Sequence, residues 1–188
     1  QGDNPKARPD EAAGYAACED AIYQKPLSAS LMRAVGYPLS GNVGAGAGAV
    51  VGKLFGMNRA MKGGIGHALV QVGPWQVGAM VACNAVGDVT DPVTGKVLAG
   101  ARSADGTKLL NTQQALLAGQ KAGKPMAGTN TTIGVVATNA TLNKAQAKRL
   151  AMSAHDGFAR SIRPAHTTLD GDTLFAMATC AETGEPDM

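Results

Sequence analysis

A run of small hydroxyl and amide side chains, residues 129–132, leads directly into an uncharged, β-branched segment at residues 133–137. An apolar run of this length is typical of a buried strand, and polar residues at the mouth of such a strand are held rigidly. A hydroxyl there could serve as a nucleophile, although a polar turn uses the same residue types. The spacing alone favours the turn, so the rest of the chain must decide between the two.

One way to activate a hydroxyl at this position is to free the nitrogen of its own residue. If the peptide bond between Asn130 and Thr131 broke, Thr131 would carry a hydroxyl and an α-amine with an ordinary pKa of about 7.7–8.0. One residue would then supply both the nucleophile and the general base. Self-cleavage would be the activating step: the hydroxyl would attack the preceding carbonyl in an N-to-O acyl shift, and water would release the ester.

Such a scheme needs a donor for the developing oxyanion and groups that orient the hydroxyl and the amine. Asn84 follows an apolar strand, and Asp170 and Asp172 flank a glycine in a tight acidic turn. Each of the three therefore offers a polar group of a suitable type at a strand end. For Asn84 the alternative is an amide that caps the turn after the strand.

Other kinds of site find little support in the sequence. A Ser-His-Asp triad is a spatial arrangement, but no Gly-x-Ser-x-Gly elbow is present, and we expect His155 to pack on a helix and His166 to lie in a loop. No histidine stands at i, i+4 spacing from a second ligand, so we predict no metal site. The glycine-rich residues 41–54 lack the Walker pattern, because Ala47 and Leu54 stand where a glycine and a hydroxyl residue are required. We therefore predict no cofactor and interpret these glycines as a close-packed backbone crossing.

Composition restricts the class of protein and its partners. The 188 residues suffice for one domain, and 45% apolar residues with 25 glycines and 4% aromatics predict a tightly layered α/β body. The net charge of +3 is spread without a basic run, which argues against a nucleic-acid partner, and no window of 18 apolar residues predicts a membrane span. The first ten residues are polar and do not resemble a signal peptide. Three widely spaced cysteines fit a reducing compartment, so we expect a cytoplasmic protein.

The elements that must position these residues follow from local patterns. Gly73 and Pro74 separate two apolar segments, residues 65–72 and 75–83, which predicts a β-hairpin that leads directly to Asn84. The acidic turn at 170–172 runs into a final short apolar strand at residues 173–179. The other predicted segments are a helix at 11–23 after Asp10, a helix from Ser28 or Ser30 to Val35, and a mobile surface connection at 102–126 with a helical turn near 113–118.

A longer helix is predicted over residues 144–162, between the two strands that carry the candidate site. Thr141 or Asn143 can cap its start, and Pro164 stops it. Its apolar face consists of five residues at helical spacing: Ala147, Leu150, Ala151, Ala154 and Phe158.

Six motifs occur in a fixed order over nearly the whole chain, and together they are specific for one family. They are Arg8-Pro9-Asp10 with Gly14-Tyr15-Ala16-Ala17-Cys18; Val43-Gly44-Ala45-Gly46-Ala47-Gly48 through Gly52-Lys53-Leu54; Lys62-Gly63-Gly64-Ile65-Gly66; Asn84-Ala85-Val86-Gly87-Asp88-Val89; Asn130-Thr131-Thr132-Ile133-Gly134-Val135-Val136-Ala137-Thr138; and His166-Thr167-Thr168-Leu169-Asp170-Gly171-Asp172-Thr173-Leu174-Phe175-Ala176. In these motifs the chain resembles the DmpA-type aminopeptidases, also called the L-aminopeptidase/D-esterase family. Relatives of that family include β-peptidyl aminopeptidases and nylon-oligomer hydrolases.

The resemblance implies an α/β (α+β) fold, a four-layer αββα sandwich of the DmpA and ornithine acetyltransferase kind. Family members are longer at both ends, so we expect this chain to be an incomplete portion that folds poorly or is inactive alone. Autoproteolysis between Asn130 and Thr131 would divide the single domain into an α part, residues 1–130, and a β part, residues 131–188. The implied assembly is a homo-oligomer, commonly a tetramer of αβ units.

Carried over by position, the resemblance makes Thr131 the nucleophile, with Thr132 as the competing choice. Asn84 would stabilise the oxyanion. Lys53 and the pair Asp170 and Asp172 match residues near the nucleophile in the nylon-oligomer branch. Other branches place a hydroxyl and a Glu near the nucleophile, so the role of each aspartate stays open.

The implied function is that of a self-processing N-terminal-nucleophile amide hydrolase, an aminopeptidase acting on small peptides or amino-acid amides through an acyl-Thr131 intermediate. One alternative is a nylon-oligomer-type amidase. A second is an acyl transferase of the ornithine acetyltransferase kind, although the Ala-Thr-Met-Leu motif of those enzymes is absent. A third is an uncleaved, non-catalytic homologue in which Thr131 stays an internal residue.

Overall fold

The computed structural model describes residues 11–23, 40–123 and 128–183, and these residues combine helices with parallel and antiparallel strands. The α+β class is therefore confirmed. The helix predicted from Ser28 or Ser30 to Val35 lies outside the described residues. In chain order the elements are α1 (Glu11–Tyr23), β1 (Val50–Val51), β2 (Met61–Lys62), β3 (Gly64–Val72), β4 (Trp75–Cys83), β5 (Asp88–Thr90), β6 (Val97–Ala99), α2 (Thr112–Leu117), β7 (Ile133–Ala140), α3 (Lys144–Ser161), β8 (Ile162–Arg163) and β9 (Thr173–Glu182).

The main sheet has four strands in the order β3-β4-β7-β9. Strands β3 and β4 form the predicted hairpin around Gly73, whose φ of +57° suits glycine. Strand β7 is antiparallel to β4 and parallel to β9, with Ile133 opposite both Ala82 and Thr173. The C-terminal end of β4 therefore meets the N-terminal ends of β7 and β9 at one end of the sheet.

Helix α3 covers one face of this sheet and lies against β9. Asn143, one of the two predicted caps, accepts a hydrogen bond of 2.9 Å from the Gln146 N–H, and the Gln146 side chain accepts one of 2.8 Å from the Asn143 N–H. The predicted apolar face of the helix is buried or half-buried, and Phe158 packs with Val51 and Ile162 in the core.

The prediction that the strand after Thr132 is buried is wrong for one of its faces. Side chains of β7 alternate between buried and more exposed positions, and Ile133 and Val135 are 44% and 39% exposed. Val135 lies opposite Met80 of β4 and Phe175 of β9, which are also exposed, so three strands share an open apolar face. The described residues supply a helical layer on the other face only, and the four-layer sandwich stays a prediction.

Residues 102–123 are anchored to the body of the protein. Thr112 is fully buried, and its N–H and hydroxyl donate hydrogen bonds of 2.6 and 2.8 Å to the carboxylate of Asp88 in β5. The helical turn predicted near 113–118 is confirmed as α2, and most side chains of residues 102–123 are exposed, as predicted for a surface connection. The buried Asp88 nevertheless anchors this connection, and no local pattern reveals that long-range partner.

The glycine-rich segment is a close backbone crossing, as predicted. A Cβ atom at Gly46 would lie 2.2 Å from the Ile65 nitrogen, and one at Gly52 would lie 2.0 Å from the Ala101 nitrogen. Gly52 also has a φ of +70°, which other residues rarely adopt. No helix in the described part of the chain is long and apolar enough to cross a membrane.

Candidate active site

The register of the main sheet brings the candidate residues together where three strands begin or end. Asn84 follows β4, Thr131 precedes β7 by two residues, and Asp172 directly precedes β9. Lys53 reaches the same place from the glycine-rich segment, because its N–H donates a hydrogen bond of 2.8 Å to the Val86 carbonyl just beyond Asn84. Asp170 lies there as well, because it pairs with Asn130 in a parallel bridge, so all five predicted catalytic residues lie around one end of the sheet.

The peptide unit between Asn130 and Thr131 is held from both sides. Its N–H, that of Thr131, donates a hydrogen bond of 3.1 Å to the Asn84 carbonyl oxygen at the end of β4. Its carbonyl oxygen, that of Asn130, accepts a hydrogen bond of 2.7 Å from the Gly171 N–H before β9. The Thr131 hydroxyl lies next to Gly171, since a Cβ atom there would be 2.7 Å from the hydroxyl oxygen.

Lys53 is a cation buried among neutral oxygens. Its Nζ donates hydrogen bonds to the Asn84 carbonyl oxygen at 3.0 Å, to the Asn84 Oδ1 at 2.9 Å and to the Thr129 carbonyl oxygen at 3.2 Å. Only 3% of the residue is exposed, and burial lowers the pKa of Lys53 to about 8. The negative charges of Asp170 and Asp172 oppose that shift, which places both carboxylates within electrostatic range of the amine.

The Asn84 side chain bridges three segments. Its Oδ1 accepts from the Val50 N–H at 3.1 Å and from Lys53, and its Nδ2 donates a hydrogen bond of 2.9 Å to the Thr129 carbonyl oxygen. In the intact chain this amide therefore binds the carbonyl one residue before Asn130. The predicted role of Asn84 at an oxyanion stays a prediction, and its side chain does more than cap the turn after β4.

The two aspartates have different partners. Asp170 braces its own loop: Oδ2 accepts from the N–H and hydroxyl of Thr167 at 3.1 and 2.7 Å, and Oδ1 accepts from the Val86 N–H at 3.1 Å. Asp172 holds the strand of the candidate nucleophile, because its Oδ1 accepts a hydrogen bond of 3.0 Å from the Thr132 N–H. The Asp172 side chain is 2% exposed.

The surroundings distinguish Thr131 from Thr132. Thr132 is fully buried, and its hydroxyl faces the Cys83 thiol without a hydrogen bond of ordinary geometry. Burial raises the pKa of that thiol, and the hydroxyl has a smaller opposite effect. Thr131 is partly exposed, so of the two residues it is the better candidate for contact with a substrate.

Three neighbours of the site were missed in the sequence. The His166 Nδ1 lies 3.0 Å from Asp172 Oδ2, and its ring lies 5.0 Å from that of His155 between centroids. Cys83 lies beside Thr132, and Gly171 contacts both Asn130 and Thr131. Of these three neighbours, only Gly171 had a signal in the sequence, namely its position between two candidate aspartates.

Among the described residues, no three His, Cys, Asp or Glu side chains lie close enough together to bind a metal ion.

Comparison with known proteins shows what the chain is similar to. It matches the model of peptidase family S58 over residues 11–187. An uncharacterized aminopeptidase of Mycobacterium leprae is 45% identical over 177 residues, which cover 93% of this chain and 45% of that protein. A 6-aminohexanoate-oligomer endohydrolase of Kocuria sp. is 33% identical over 174 residues, which cover 91% of this chain and 45% of that enzyme.

Among solved structures, the L-aminopeptidase D-Ala-esterase/amidase of Ochrobactrum anthropi aligns with a TM-score of 0.46 and 26% identity, over 72% of this chain and 31% of that chain. The chain spans about 45% of the length of the two curated relatives.

Proposed function

Because the chain belongs to peptidase family S58, we propose that it carries the active site of a self-processing N-terminal-nucleophile aminopeptidase for small peptides or amino-acid amides. The family match confirms the resemblance seen in the sequence motifs. The observation that carries the proposal is the Asn130–Thr131 peptide unit, clamped between the Asn84 carbonyl and the Gly171 N–H beside the buried Lys53. A polar turn alone does not require such an arrangement around one bond.

The first proposed step is self-cleavage. The Thr131 hydroxyl oxygen bonds to the Asn130 carbonyl carbon, the bond from that carbon to the Thr131 nitrogen breaks, and the hydroxyl proton ends on the released nitrogen. Water then hydrolyses the ester, which leaves a carboxylate on Asn130 and a free amine and hydroxyl on Thr131. The clamp supports this step because it fixes the carbonyl next to the hydroxyl that attacks it.

The second proposed step is amide hydrolysis by the new N-terminus. The Thr131 amine takes the hydroxyl proton as the hydroxyl oxygen bonds to the substrate carbonyl carbon. The carbon–nitrogen bond of the substrate amide then breaks, and the released amine leaves with that proton. Water hydrolyses the acyl-Thr131 ester, which releases the acyl part as a carboxylate and restores the hydroxyl. In the intact chain the Thr131 nitrogen and the Lys53 Nζ both donate to the Asn84 carbonyl oxygen, so the two nitrogens lie within two hydrogen-bond lengths. A neighbouring cation lowers the pKa of an amine, so Lys53 would help to keep the Thr131 amine neutral.

Mass spectrometry under denaturing conditions tests the self-cleavage. The whole protein that carries this sequence should give two polypeptides with a new N-terminus at Thr131, and Thr131→Ala in that protein should remain one chain. Thr132→Ala is the matched control, because it removes the hydroxyl next along the chain, and we expect it to be cut normally. Cleavage that persists in Thr131→Ala, or that is lost only in Thr132→Ala, would exclude Thr131 as the nucleophile.

A nylon-oligomer-type amidase is the second candidate function. Relatives named 6-aminohexanoate-oligomer endohydrolase are 33–34% identical over 91% of this chain, whereas relatives named as uncharacterized aminopeptidases are 41–45% identical. Hydrolysis rates on amino-acid amides and nitroanilides, compared with those on 6-aminohexanoate oligomers, distinguish the two. Faster cleavage of the oligomers would overturn the aminopeptidase assignment, while the assignment of Thr131 as the nucleophile would still stand.

Two further proposals concern the whole protein. The expected homo-oligomer of αβ units can be measured by light scattering after gel filtration, and a monomer would contradict it. The expected cytoplasmic location can be measured by cell fractionation.

A further inference from the structure

Two successive carbonyl oxygens beside the candidate cut site have separate sets of donors. The Thr129 oxygen accepts from the Asn84 Nδ2 at 2.9 Å and from the Lys53 Nζ at 3.2 Å. The Asn130 oxygen, which belongs to the bond to be cut, accepts from the Gly171 N–H at 2.7 Å. In the intact chain the amide donor of Asn84 is thus engaged on the neighbouring carbonyl.

We infer that the Gly171 backbone N–H is the oxyanion donor of the self-cleavage step, an assignment that rests on the self-processing proposed above. When the Thr131 hydroxyl attacks, the Asn130 carbonyl oxygen becomes negatively charged. A donor already aimed at that oxygen binds the charged form more strongly than the neutral carbonyl, and this difference lowers the barrier. A distance of 2.7 Å lies at the short end of the range for N–H···O hydrogen bonds.

The position of Gly171 is held from several directions. Asp170, on one side, accepts hydrogen bonds from Thr167 and Val86, and Asp172, on the other side, accepts one from the Thr132 N–H. Beyond it, the Thr173 N–H donates a hydrogen bond of 2.9 Å to the Thr132 carbonyl oxygen. The Gly171 N–H is therefore one step of a parallel ladder, which fixes its direction before any reaction begins.

The absence of a side chain at Gly171 serves the same step. A Cβ atom at this position would lie 2.7 Å from the Thr131 hydroxyl oxygen and 3.7 Å from the Asn130 carbonyl oxygen. The attacking oxygen and the oxygen that gains charge both lie against this residue. Glycine is the residue that offers the donor and leaves the space for the nucleophile.

The test removes this one N–H and leaves the space unchanged. Glycolic acid replaces Gly171 by cell-free translation, which converts the backbone amide at this position to an ester. The matched control replaces Thr173 by its α-hydroxy analogue and removes the next N–H of the same ladder, on the Thr132 oxygen. Alanine is unsuitable at 171 because its Cβ atom would displace the nucleophile. The rate of formation of the two polypeptides is measured for each protein, with circular dichroism to compare folding.

We expect the ester at 171 to slow self-cleavage by roughly 100- to 1,000-fold, the usual effect of losing one oxyanion donor. The protein with the ester at 173 should cleave itself at the unsubstituted rate within about threefold. The hydrogen bond that it lacks ends on the Thr132 carbonyl oxygen and does not involve the Asn130–Thr131 peptide bond. Equal slowing by both esters would overturn the assignment, because the bond would then be structural. Unchanged cutting with the ester at 171 would overturn it and leave the proposed function intact. If the unsubstituted protein never cleaves itself, the assignment of Gly171 and the proposed self-processing are both excluded.

Discussion

Lys53 is a buried cation whose hydrogen bonds all go to neutral oxygens in the described structure. An ammonium group has three N–H donors, and the three oxygens around Nζ accept one each. Each of these oxygens also accepts from a second donor. The Thr131 N–H donates to the Asn84 carbonyl oxygen, the Val50 N–H to the Asn84 Oδ1, and the Asn84 Nδ2 to the Thr129 carbonyl oxygen. Loss of the amine would therefore leave no oxygen unsatisfied, while the desolvation cost of a buried charge would disappear.

The first prediction is a pH dependence of stability caused by Lys53. Burial lowers its pKa from an ordinary 10.5 to about 8, so between these values the unfolded chain binds the proton more tightly than the folded protein does. The free energy of unfolding should therefore rise with pH from about 8 to about 10.5, by on the order of 3 kcal/mol. Lys53→Met should lack this rise.

Urea unfolding at several pH values measures this effect. Both proteins should carry Thr131→Ala, so that each unfolds as one chain and self-cleavage does not interfere. The informative quantity is the difference in unfolding free energy between the protein with Lys53 and the protein with Lys53→Met. A difference that stays constant from pH 7 to about 10.5, the ordinary lysine pKa, would contradict the lowered pKa.

At the scale of elements, Asp88 in β5 ties together segments that the sequence presents as unrelated. Its Oδ1 accepts hydrogen bonds from the Ala101 N–H at 2.8 Å and the Thr112 hydroxyl at 2.8 Å, and its Oδ2 accepts from the Thr112 N–H at 2.6 Å. Burial raises the pKa of Asp88, and these donors oppose the rise. The carboxylate thus fixes Ala101 and Thr112, two points of the chain beyond β6.

We predict that Asp88→Asn destabilises the protein by about 1–3 kcal/mol. An amide keeps the shape of the carboxylate but has one acceptor oxygen, so one of two buried backbone N–H groups would face an NH₂ group. Asp91→Asn is the control, because Asp91 also accepts from two backbone N–H groups and a threonine hydroxyl, but all three bonds end on Oδ1, which an asparagine side chain still supplies. Thermal unfolding should show a clearly smaller loss there, and equal losses would contradict the explanation by the lost second acceptor oxygen.

Local patterns predicted those elements whose signals lie within a few residues of what they control. The turn around Gly73 and the cap at Asn143 gave the hairpin and α3, and helical spacing gave the buried face of α3. The grouping of Asn84, Thr131 and Asp172 depends on the register between β4, β7 and β9, which no local pattern encodes. Local patterns therefore indicate these residues only as polar groups at strand ends, and the motif resemblance is what groups them in one site. Neither signal singles out Gly171, which acts through its backbone.

At the scale of the molecule, the apolar run of β7 has two faces with different surroundings. One face packs under α3, and the other joins Met80 and Phe175 in an exposed apolar surface. Strands covered on both faces have continuous apolar sequences, whereas strands with one wet face alternate. The continuous apolar run of β7 therefore predicts burial on both faces, and among the described residues only the face toward α3 is buried.

The last prediction concerns how the two parts would stay together after a cut at Asn130–Thr131. Strand β4 belongs to residues 1–130 and β7 to residues 131–188, and they pair from Val77 opposite Thr138 to Ala82 opposite Ile133. The core also joins both parts, since Val51 and Ala85 pack with Phe158 and Ile162. The cut would sever one bond before β7 and leave this ladder and core unchanged.

We therefore expect the two polypeptides to elute together in native gel filtration and to separate only when the protein unfolds. Unfolding of the cut protein produces two chains from one body, so its urea midpoint should rise with protein concentration. Thr131→Ala is the control, because it would share any oligomerisation but unfold as one chain. Its midpoint should depend less on concentration. Separate elution of the two polypeptides from a cut and folded sample, or equal concentration dependence in both proteins, would show that the β4–β7 ladder does not hold the parts together.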